Sequence, residues 1–165
     1  MAAISERLLQ KLMTTMNTCG LFVTCGIEPH NVMSTHWGSV GTMWNRDVFV
    51  LPVRESKLSH SIIAETGEFA VCMPIKDMRD EIMLCDHLSG YNTNKFGELH
   101  LHPKRARHID AYVLAECGLV LECRVILAAD MTKEGLDSAL LNEMYAHKDF
   151  HTLYFAEILD CYTPD

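Results

Sequence analysis

The chain has 165 residues, of which 48% are hydrophobic and 22% are charged, and these proportions are typical of globular rather than disordered proteins. We expect a single domain over residues 1–165, long enough to bury a hydrophobic core. The net charge of −8 argues against nucleic acid or an anionic membrane as a partner.

The seven cysteines include no Cys-x-x-Cys pair, and the N-terminal stretch has no signal-peptide pattern. No apolar stretch is long enough to span a bilayer. These features predict a cytoplasmic protein with free thiols. Cys85 and Cys161 are expected to be the exposed thiols, and the other cysteines to pack as small hydrophobic side chains.

The first predicted element is an amphipathic helix over Ser5–Met13, with Ser5 as its N-cap. Its apolar stripe is too short and too weakly basic for a membrane anchor, so we expect it to pack on the core or on a second subunit. A strand follows over Leu21–Cys25, and the turn residues Gly26 and Pro29 end it. The pattern of residues 31–43 is less regular.

Two further strands are predicted over Val48–Val53 and Glu68–Met73. A helix over Lys57–Thr66 lies between them and is expected to end at Gly67. A second helix is predicted over Asp77–Leu88, with Asp77 as its cap. Residues 97–110 are rich in histidine, proline and charge, and are expected to be irregular.

The strongest strand pattern covers Tyr112–Ala129, with a predicted break at Cys117 and Gly118. Glu122 and Arg124 within it predict a partly wet face. A short helix over 134–144 and a last strand over 150–161 complete the pattern. Many strands with few helices predict a closed antiparallel sheet, and composition alone leaves both a barrel and a sandwich open.

A candidate anion site lies where a predicted strand meets a predicted helix, at Arg54, Ser56 and Lys57. Unpaired N–H groups at a helix N-terminus favour an anion, and arginine offers a planar fork of donors. These residues are therefore candidates for binding a phosphate. The alternative is that Arg54 and Lys57 are surface charges paired with Glu55 or Glu65.

A second candidate group follows the turn at Pro29. The polar residues Asn31, Ser34 and Thr35, beside Trp37, suit the edge and the face of a planar heterocycle. The alternative is a buried strand in which Trp37 is a core aromatic residue.

Other motifs with a known chemistry are absent, including G-x-G-x-x-G, Walker A, H-E-x-x-H and G-x-S-x-G. His100, His102 and His108 stand close together in the chain, but without a cysteine pair or the spacing of a structural zinc site. We therefore predict solvent-exposed histidines and no metal site.

Taken in order, five segments resemble the flavin reductase-like family, the FMN-binding split barrels. The resemblance runs from about Leu21 to the C-terminus. It implies a mainly β, antiparallel Greek-key split β-barrel with a few flanking helices, and a homodimer with the flavin near the subunit interface. The matching segments are NVMSTHW at 31–37, VRESK at 53–57, TGEFAVCMP at 66–74, NTNKF at 92–96 and HTLYFAEI at 151–158.

The resemblance also implies the residues of the site. It places His151 near the flavin face or the nicotinamide as the candidate catalytic residue; the alternative is a strand histidine whose hydrogen bonds are satisfied within the protein. Lys95 would add a second cation for the FMN phosphate. The implied cofactor-binding residues are Asn31, Val32, Met33, Ser34, Thr35, Trp37, Arg54, Ser56, Lys57, Asn92 and Lys95.

The function implied by the resemblance is that of an FMN-dependent oxidoreductase. Such a protein takes a hydride from NADH or NADPH and passes electrons to free flavin, ferric iron, another small molecule or a redox partner protein. One alternative is a non-enzymatic FMN electron carrier of the flavoredoxin type. Another is a binding barrel without a cofactor.

Overall fold

The computed structural model of the chain describes residues 5–164 and contains nine strands. In chain order they are β1 Leu21–Cys25, β2 Asn31–Thr35, β3 Ser39–Met43, β4 Arg46–Arg54, β5 Glu68–Pro74, β6 Pro103–Arg105, β7 Tyr112–Leu114, β8 Cys117–Asp130 and β9 His151–Tyr162. Seven of them form one sheet in the order β2-β1-β5-β8-β9-β4-β3, and every neighbouring pair is antiparallel. Strands β6 and β7 pair separately.

Helices flank this sheet. They are α1 Glu6–Thr18, α2 Leu58–Thr66, α3 Arg79–His87, α4 Lys95–Glu98 and α5 Ser138–Met144, with a short 3₁₀ helix at Lys133–Gly135. The predicted cap of α1 is present, because the Ser5 hydroxyl accepts a hydrogen bond from the Leu8 amide. Helix α2 ends at Gly67, whose φ of 69° is the left-handed conformation that glycine adopts without strain.

The predicted mainly β, antiparallel architecture is confirmed. Neighbours in the sheet are distant in the chain, since β1 pairs with β5 and β4 pairs with β9. The edge strands β2 and β3 are not hydrogen-bonded to each other. The hydrogen-bonded sheet is therefore open between them rather than a closed ring.

Hydrophobic side chains pack on both faces of the sheet, as strand alternation requires. In β1, Leu21 and Val23 point into one cluster and Phe22 into the other. The apolar side of α1 covers the first cluster through Leu12, as predicted, and through Met16 in the part of the helix beyond the predicted end; both are almost fully buried. Helices α3 and α4 and strand β7 cover the second cluster. No helix within residues 5–164 is both long and apolar enough to cross a membrane.

Several boundaries differ from the prediction. Helix α1 continues to Thr18, and residues 31–43 form the two regular strands β2 and β3. Residues 97–110, which were expected to be irregular, contain the end of α4 and all of β6. The break in the long strand pattern falls between Leu114 and Cys117, two residues earlier than predicted. In each case a partner strand or a packing surface decides where the element ends.

Two predictions about exposure were only partly right. Arg124 is exposed, as the predicted wet face requires. Glu122 lies in the core instead of on a wet face, because its carboxylate accepts hydrogen bonds from the amides of Arg107 and His108, at 2.7 and 2.6 Å, and from the Tyr162 hydroxyl. A buried carboxylate is tolerated when donors satisfy it in this way. Cys85, on the buried side of α3, is also fully buried, and Cys161, which was expected to be exposed, is half-buried, as is Cys19; all seven cysteines are free.

Candidate functional site

A cleft of about 310 Å³, here called the first cleft, opens where the ends of β2 and β4 meet the start of α2 and the start of β9. It brings together seven of the residues proposed from the sequence, which come from three separate segments. Its lining residues are Met33, Ser34, Thr35, His36, Trp37, Pro52, Arg54, Lys57, Asp86, Met144 and His151.

Trp37 forms a flat wall of this cleft because a local hydrogen-bond pair fixes the chain after β2. The Thr35 hydroxyl donates to the carbonyl of Trp37 at 2.7 Å and accepts from its amide at 3.1 Å. The indole leaves the strand and is 43% exposed. Trp37 is therefore not a core aromatic residue, and its ring face is available to a planar ligand.

Arg54 reaches the first cleft, but its donors already have partners. Nη1 donates to the backbone carbonyl of Asp149 at 2.7 Å, and Nη2 donates to that of Met144 at 3.5 Å. The guanidinium also lies 5.5 Å from the centre of the Tyr145 ring. Arg54 thus holds residues 145–150, here called the Tyr145–Phe150 segment, against the end of β4, and it is not paired with Glu55 or Glu65.

Ser56 belongs to the same connection and does not line the first cleft. Its hydroxyl donates to the Asp149 carboxylate at 2.7 Å, and its amide donates to the other carboxylate oxygen at 3.2 Å. The Glu55 amide donates to the Phe150 carbonyl at 3.1 Å. The donors that the sequence suggested for a phosphate at Ser56 therefore bind Asp149 in this structure.

Lys57 and Lys95 come together at the C-terminal end of α3. The Lys57 ammonium lies 3.2 Å from the Asp86 carboxylate and 3.4 Å from the Asp86 carbonyl, and the Lys95 ammonium donates to the Cys85 carbonyl at 2.8 Å. Cations are favourable at this end of a helix, where carbonyls lack helical partners. Lys95 is almost fully buried, and that burial lowers the pKa of its ammonium.

The start of α2 faces the same region. No side chain caps its N-terminus at Lys57, so backbone N–H groups of its first turn remain available to an anion. Lys57 lines the first cleft, and the next residue, Leu58, lines another. The two clefts are therefore neighbours at the start of α2.

The second cleft, of about 400 Å³, contains the other predicted polar residues, Asn31, Asn92 and Lys95. Asn31 is buried and donates from Nδ2 to the Ser59 hydroxyl at 2.9 Å. Gly90 approaches so closely that a Cβ atom there would lie 2.5 Å from the Asn31 Oδ1 atom. This contact positions the loop 89–94 over the second cleft.

His151 lies at the start of β9 and is buried at the wall of the first cleft. Its Nδ1 atom is 2.8 Å from the Tyr145 hydroxyl, and its ring centre is 5.3 Å from that of Trp37. Burial, and secondly the positive charge of Arg54, lower the pKa of His151 to about 4. The imidazole is therefore neutral near pH 7.

The structure separates some predicted residues from the clefts and adds others. The Val32 side chain points into the core, as alternation along β2 requires, and Val32 lines neither cleft. His36, Pro52, Asp86 and Met144 line the first cleft without having been proposed. His36 stands inside the 31–37 motif, whereas nothing local in the sequence marks Met144.

The histidines of the 100–108 region take no part in either cleft. His100, His102 and His108 are exposed, as expected, and His102 and His108 lie near the carboxylates of Glu116 and Asp160. In the described part of the chain, no group of three or more histidine, cysteine, aspartate or glutamate residues is arranged to hold a metal ion.

A sequence profile of the "Flavin reductase like domain" matches residues 13–165, which is most of the chain. The chain belongs to the flavin reductase-like family. An uncharacterized protein of Archaeoglobus fulgidus is 30% identical over 104 residues, a match that covers 63% of this chain and 58% of that protein. The chain thus aligns with less than two thirds of this curated relative.

Solved structures share the fold of this flavin reductase-like chain. Flavoredoxin from Methanosarcina acetivorans is 22% identical with a TM-score of 0.70, covering 88% of this chain and 68% of its own. Flavoredoxin of Desulfovibrio vulgaris (Miyazaki F) is 19% identical with a TM-score of 0.69, and the match covers 88% of this chain and 69% of the flavoredoxin. The NADH:FAD oxidoreductase SgcE6 of Streptomyces globisporus is 13% identical with a TM-score of 0.68, and the match covers 99% of this chain and 87% of the oxidoreductase.

Proposed function

We propose that this flavin reductase-like protein binds FMN in the first cleft and acts as an FMN-dependent oxidoreductase, taking a hydride from NADH or NADPH. The electrons would pass to flavin, ferric iron or another small acceptor. The observation that carries this proposal is the first cleft itself, in which Trp37, the polar end of β2, two cations and a buried histidine converge. Related proteins are named as flavoredoxins and as an NADH:FAD oxidoreductase.

The side chains present suit an FMN molecule. The exposed face of Trp37 offers a stacking surface for a flat ring, and Ser34 and Thr35 offer polar groups for its edge. Lys57, Lys95 and the uncapped start of α2 supply positive charge and donors for a phosphate. The bound flavin would supply the hydride and electron chemistry.

In this proposal the residues of the protein bind and orient the flavin and shield it from water. Met33, Pro52 and Met144 would exclude water from part of the first cleft. Asn31 and Asn92, in the neighbouring second cleft, would serve the phosphate end together with Lys95. His151 would face the ring as a neutral hydrogen-bonding group, since its pKa is about 4. No residue needs to act as a general base in the hydride step itself.

A homodimer belongs to the same proposal, with the single domain 1–165 as the subunit. Trp44 is 54% exposed and its ring centre lies 6.4 Å from that of Phe155. Phe155 pairs with Leu127, and Met43 and Leu127 are also exposed. This apolar patch on β3, β8 and β9 supports a subunit contact. Sedimentation of the flavin-loaded protein as monomers alone would contradict it.

The test is the visible absorption spectrum of the purified protein, before and after FMN is added and the excess removed. A retained flavin band is expected, and anaerobic addition of NADH or NADPH should bleach it. Much weaker retention of riboflavin would support a phosphate contact. If no flavin is retained after reconstitution, a barrel that functions without a cofactor becomes the better description.

A second candidate function is a non-enzymatic FMN electron carrier active in the cytoplasm. The similarity of the fold to two flavoredoxins favours it. The same anaerobic experiment separates the two functions, because a carrier would keep its flavin oxidised in the presence of NADH and NADPH. Such a carrier would be reduced only through a redox partner protein.

A further inference from the structure

His151 has one ring nitrogen with a partner and one without. Nδ1 lies 2.8 Å from the Tyr145 hydroxyl oxygen, whereas Nε2 has no hydrogen-bond partner among residues 5–164. Every buried side-chain nitrogen or oxygen atom of those residues does have a partner. Because His151 lines the first cleft, Nε2 must be the atom that reaches its open space.

The hydroxyl proton of Tyr145 decides which nitrogen of His151 carries the imidazole proton. Two acceptors lie within its reach, the His151 Nδ1 atom at 2.8 Å and the Met131 sulfur at 3.2 Å. A thioether is a weak acceptor, and an unprotonated imidazole nitrogen is a much better one. The stronger acceptor and the shorter contact favour donation to Nδ1, which in a neutral imidazole places the ring proton on Nε2.

We propose that Tyr145 is a positioning residue that fixes His151 in the Nε2–H tautomer, so that His151 presents a neutral donor to an acceptor atom of the ligand in the first cleft. The identity of that ligand rests on the proposed function. A flavin ring fits the requirement, because it carries carbonyl oxygens and unprotonated ring nitrogens. The tautomer is a property of the chain itself.

Tyr145 is held firmly enough to do this. Its ring stacks on Phe150, with 5.3 Å between centres and 17° between planes, and meets His151 edge-on at 89°. Arg54 lies over the same ring and binds the neighbouring carbonyl of Met144. The end of β4 therefore anchors the hydroxyl that orients His151, which explains why Arg54 and Ser56 are bound to the Tyr145–Phe150 segment.

Burial is the main cause that keeps both groups neutral. Burial raises the pKa of the Tyr145 hydroxyl, and burial together with Arg54 lowers that of His151 to about 4, against a smaller opposing effect of Asp149. His36, Lys57 and Asp86 line the same cleft. Near pH 7 the donor is thus an uncharged N–H group and not an imidazolium.

The test is NMR of the full chain with ¹⁵N-labelled histidines, recorded without cofactor and with FMN. Two-bond ¹H–¹⁵N spectra distinguish a protonated from an unprotonated ring nitrogen, and the His151→Gln spectrum assigns the signals. The wild-type protein should show a protonated Nε2 and an unprotonated Nδ1. In Tyr145→Phe, the ¹⁵N chemical shifts of both ring nitrogens of His151 should move towards the values of a tautomer mixture. Tyr112→Phe is the matched control, because no hydrogen bond of its hydroxyl occurs among residues 5–164, and it should leave His151 unchanged.

A protonated Nδ1 in the wild-type protein would overturn the proposal, as would an unchanged His151 spectrum in Tyr145→Phe. The wild-type spectrum decides this even if the variant does not fold. Flavin titration distinguishes a failure of the proposed function from a failure of the tautomer proposal. If FMN does not bind, the proposed function fails while the tautomer result stands; if FMN binds, Tyr145→Phe should weaken it roughly two- to tenfold.

Discussion

Asp149 binds Ser56 through both of its carboxylate oxygens, one to the Ser56 hydroxyl at 2.7 Å and the other to its amide at 3.2 Å. Arg54, two residues earlier, donates to the Asp149 backbone carbonyl. Residues that the sequence pattern suggests for a phosphate thus anchor the Tyr145–Phe150 segment beside the first cleft. The cations with donors left for a phosphate are then Lys57 and Lys95.

Arg54→Ala should weaken FMN binding by about 1.5–3 kcal/mol, the usual cost of losing hydrogen bonds from a charged donor. Because Arg54 holds the Tyr145–Phe150 segment, riboflavin binding should weaken by a similar factor. Fluorescence titration with both flavins measures this, and the exposed Arg79→Ala is the control. A loss confined to FMN would instead assign Arg54 to the phosphate, and no loss with either flavin would remove it from the site.

Lys57→Met and Lys95→Met should each weaken FMN binding at least about tenfold and change riboflavin binding little, since each removes a charge-assisted contact to the phosphate alone. Methionine keeps most of the length of the buried Lys95 side chain. Isothermal titration with FMN and riboflavin measures the difference. The exposed Lys133→Met is the control, and equal effects on both flavins would place the phosphate elsewhere.

Gly90→Ala should destabilise the protein by about 1–3 kcal/mol, the range for overpacking, and weaken FMN binding. The new Cβ would lie 2.5 Å from the Asn31 Oδ1 atom, and Asn31 is fixed by its bond to Ser59. Gly97→Ala is a matched control, because its Cβ would meet nothing nearer than 3.8 Å. Urea unfolding and FMN titration measure both effects; equal behaviour of the two variants would show that the loop 89–94 moves freely.

The stability of the protein should fall at acid pH because of His151. Its pKa is about 4 in the folded protein and about 6.5 when unfolded, so the unfolded chain binds a proton first. The neutral imidazole therefore makes its full contribution to the free energy of unfolding above about pH 6.5, and this contribution is lost as the pH falls towards 4. Urea unfolding of the wild-type protein and His151→Gln between pH 7 and 4 measures this. If the free energy of unfolding falls equally with pH in both proteins, His151 is not the cause of the acid destabilisation.

The local pattern of the sequence predicts most of the strands and helices correctly because turn residues bound many of these elements. Leu21–Cys25 and the helix stop at Gly67 are examples, where a turn or a left-handed φ is needed. Asn31, Ser34, Thr35 and Trp37 stand close together in the chain, so a polar strand end beside an aromatic residue is visible without a structure. The strand–helix junction at Arg54–Lys57 is visible in the same way.

The sequence by itself determined the family, the mainly β antiparallel class and the segments that carry the candidate site, since these depend on residue order and local propensity. Only the tertiary structure decided which partner each polar group has. Arg54 and Asp149 are 95 residues apart in the chain, and β4 meets β9 in the sheet. Local pattern contains no information about such a contact, because it exists only after the sheet has formed. For the same reason Glu122 is buried, and His151 finds Tyr145 beside it.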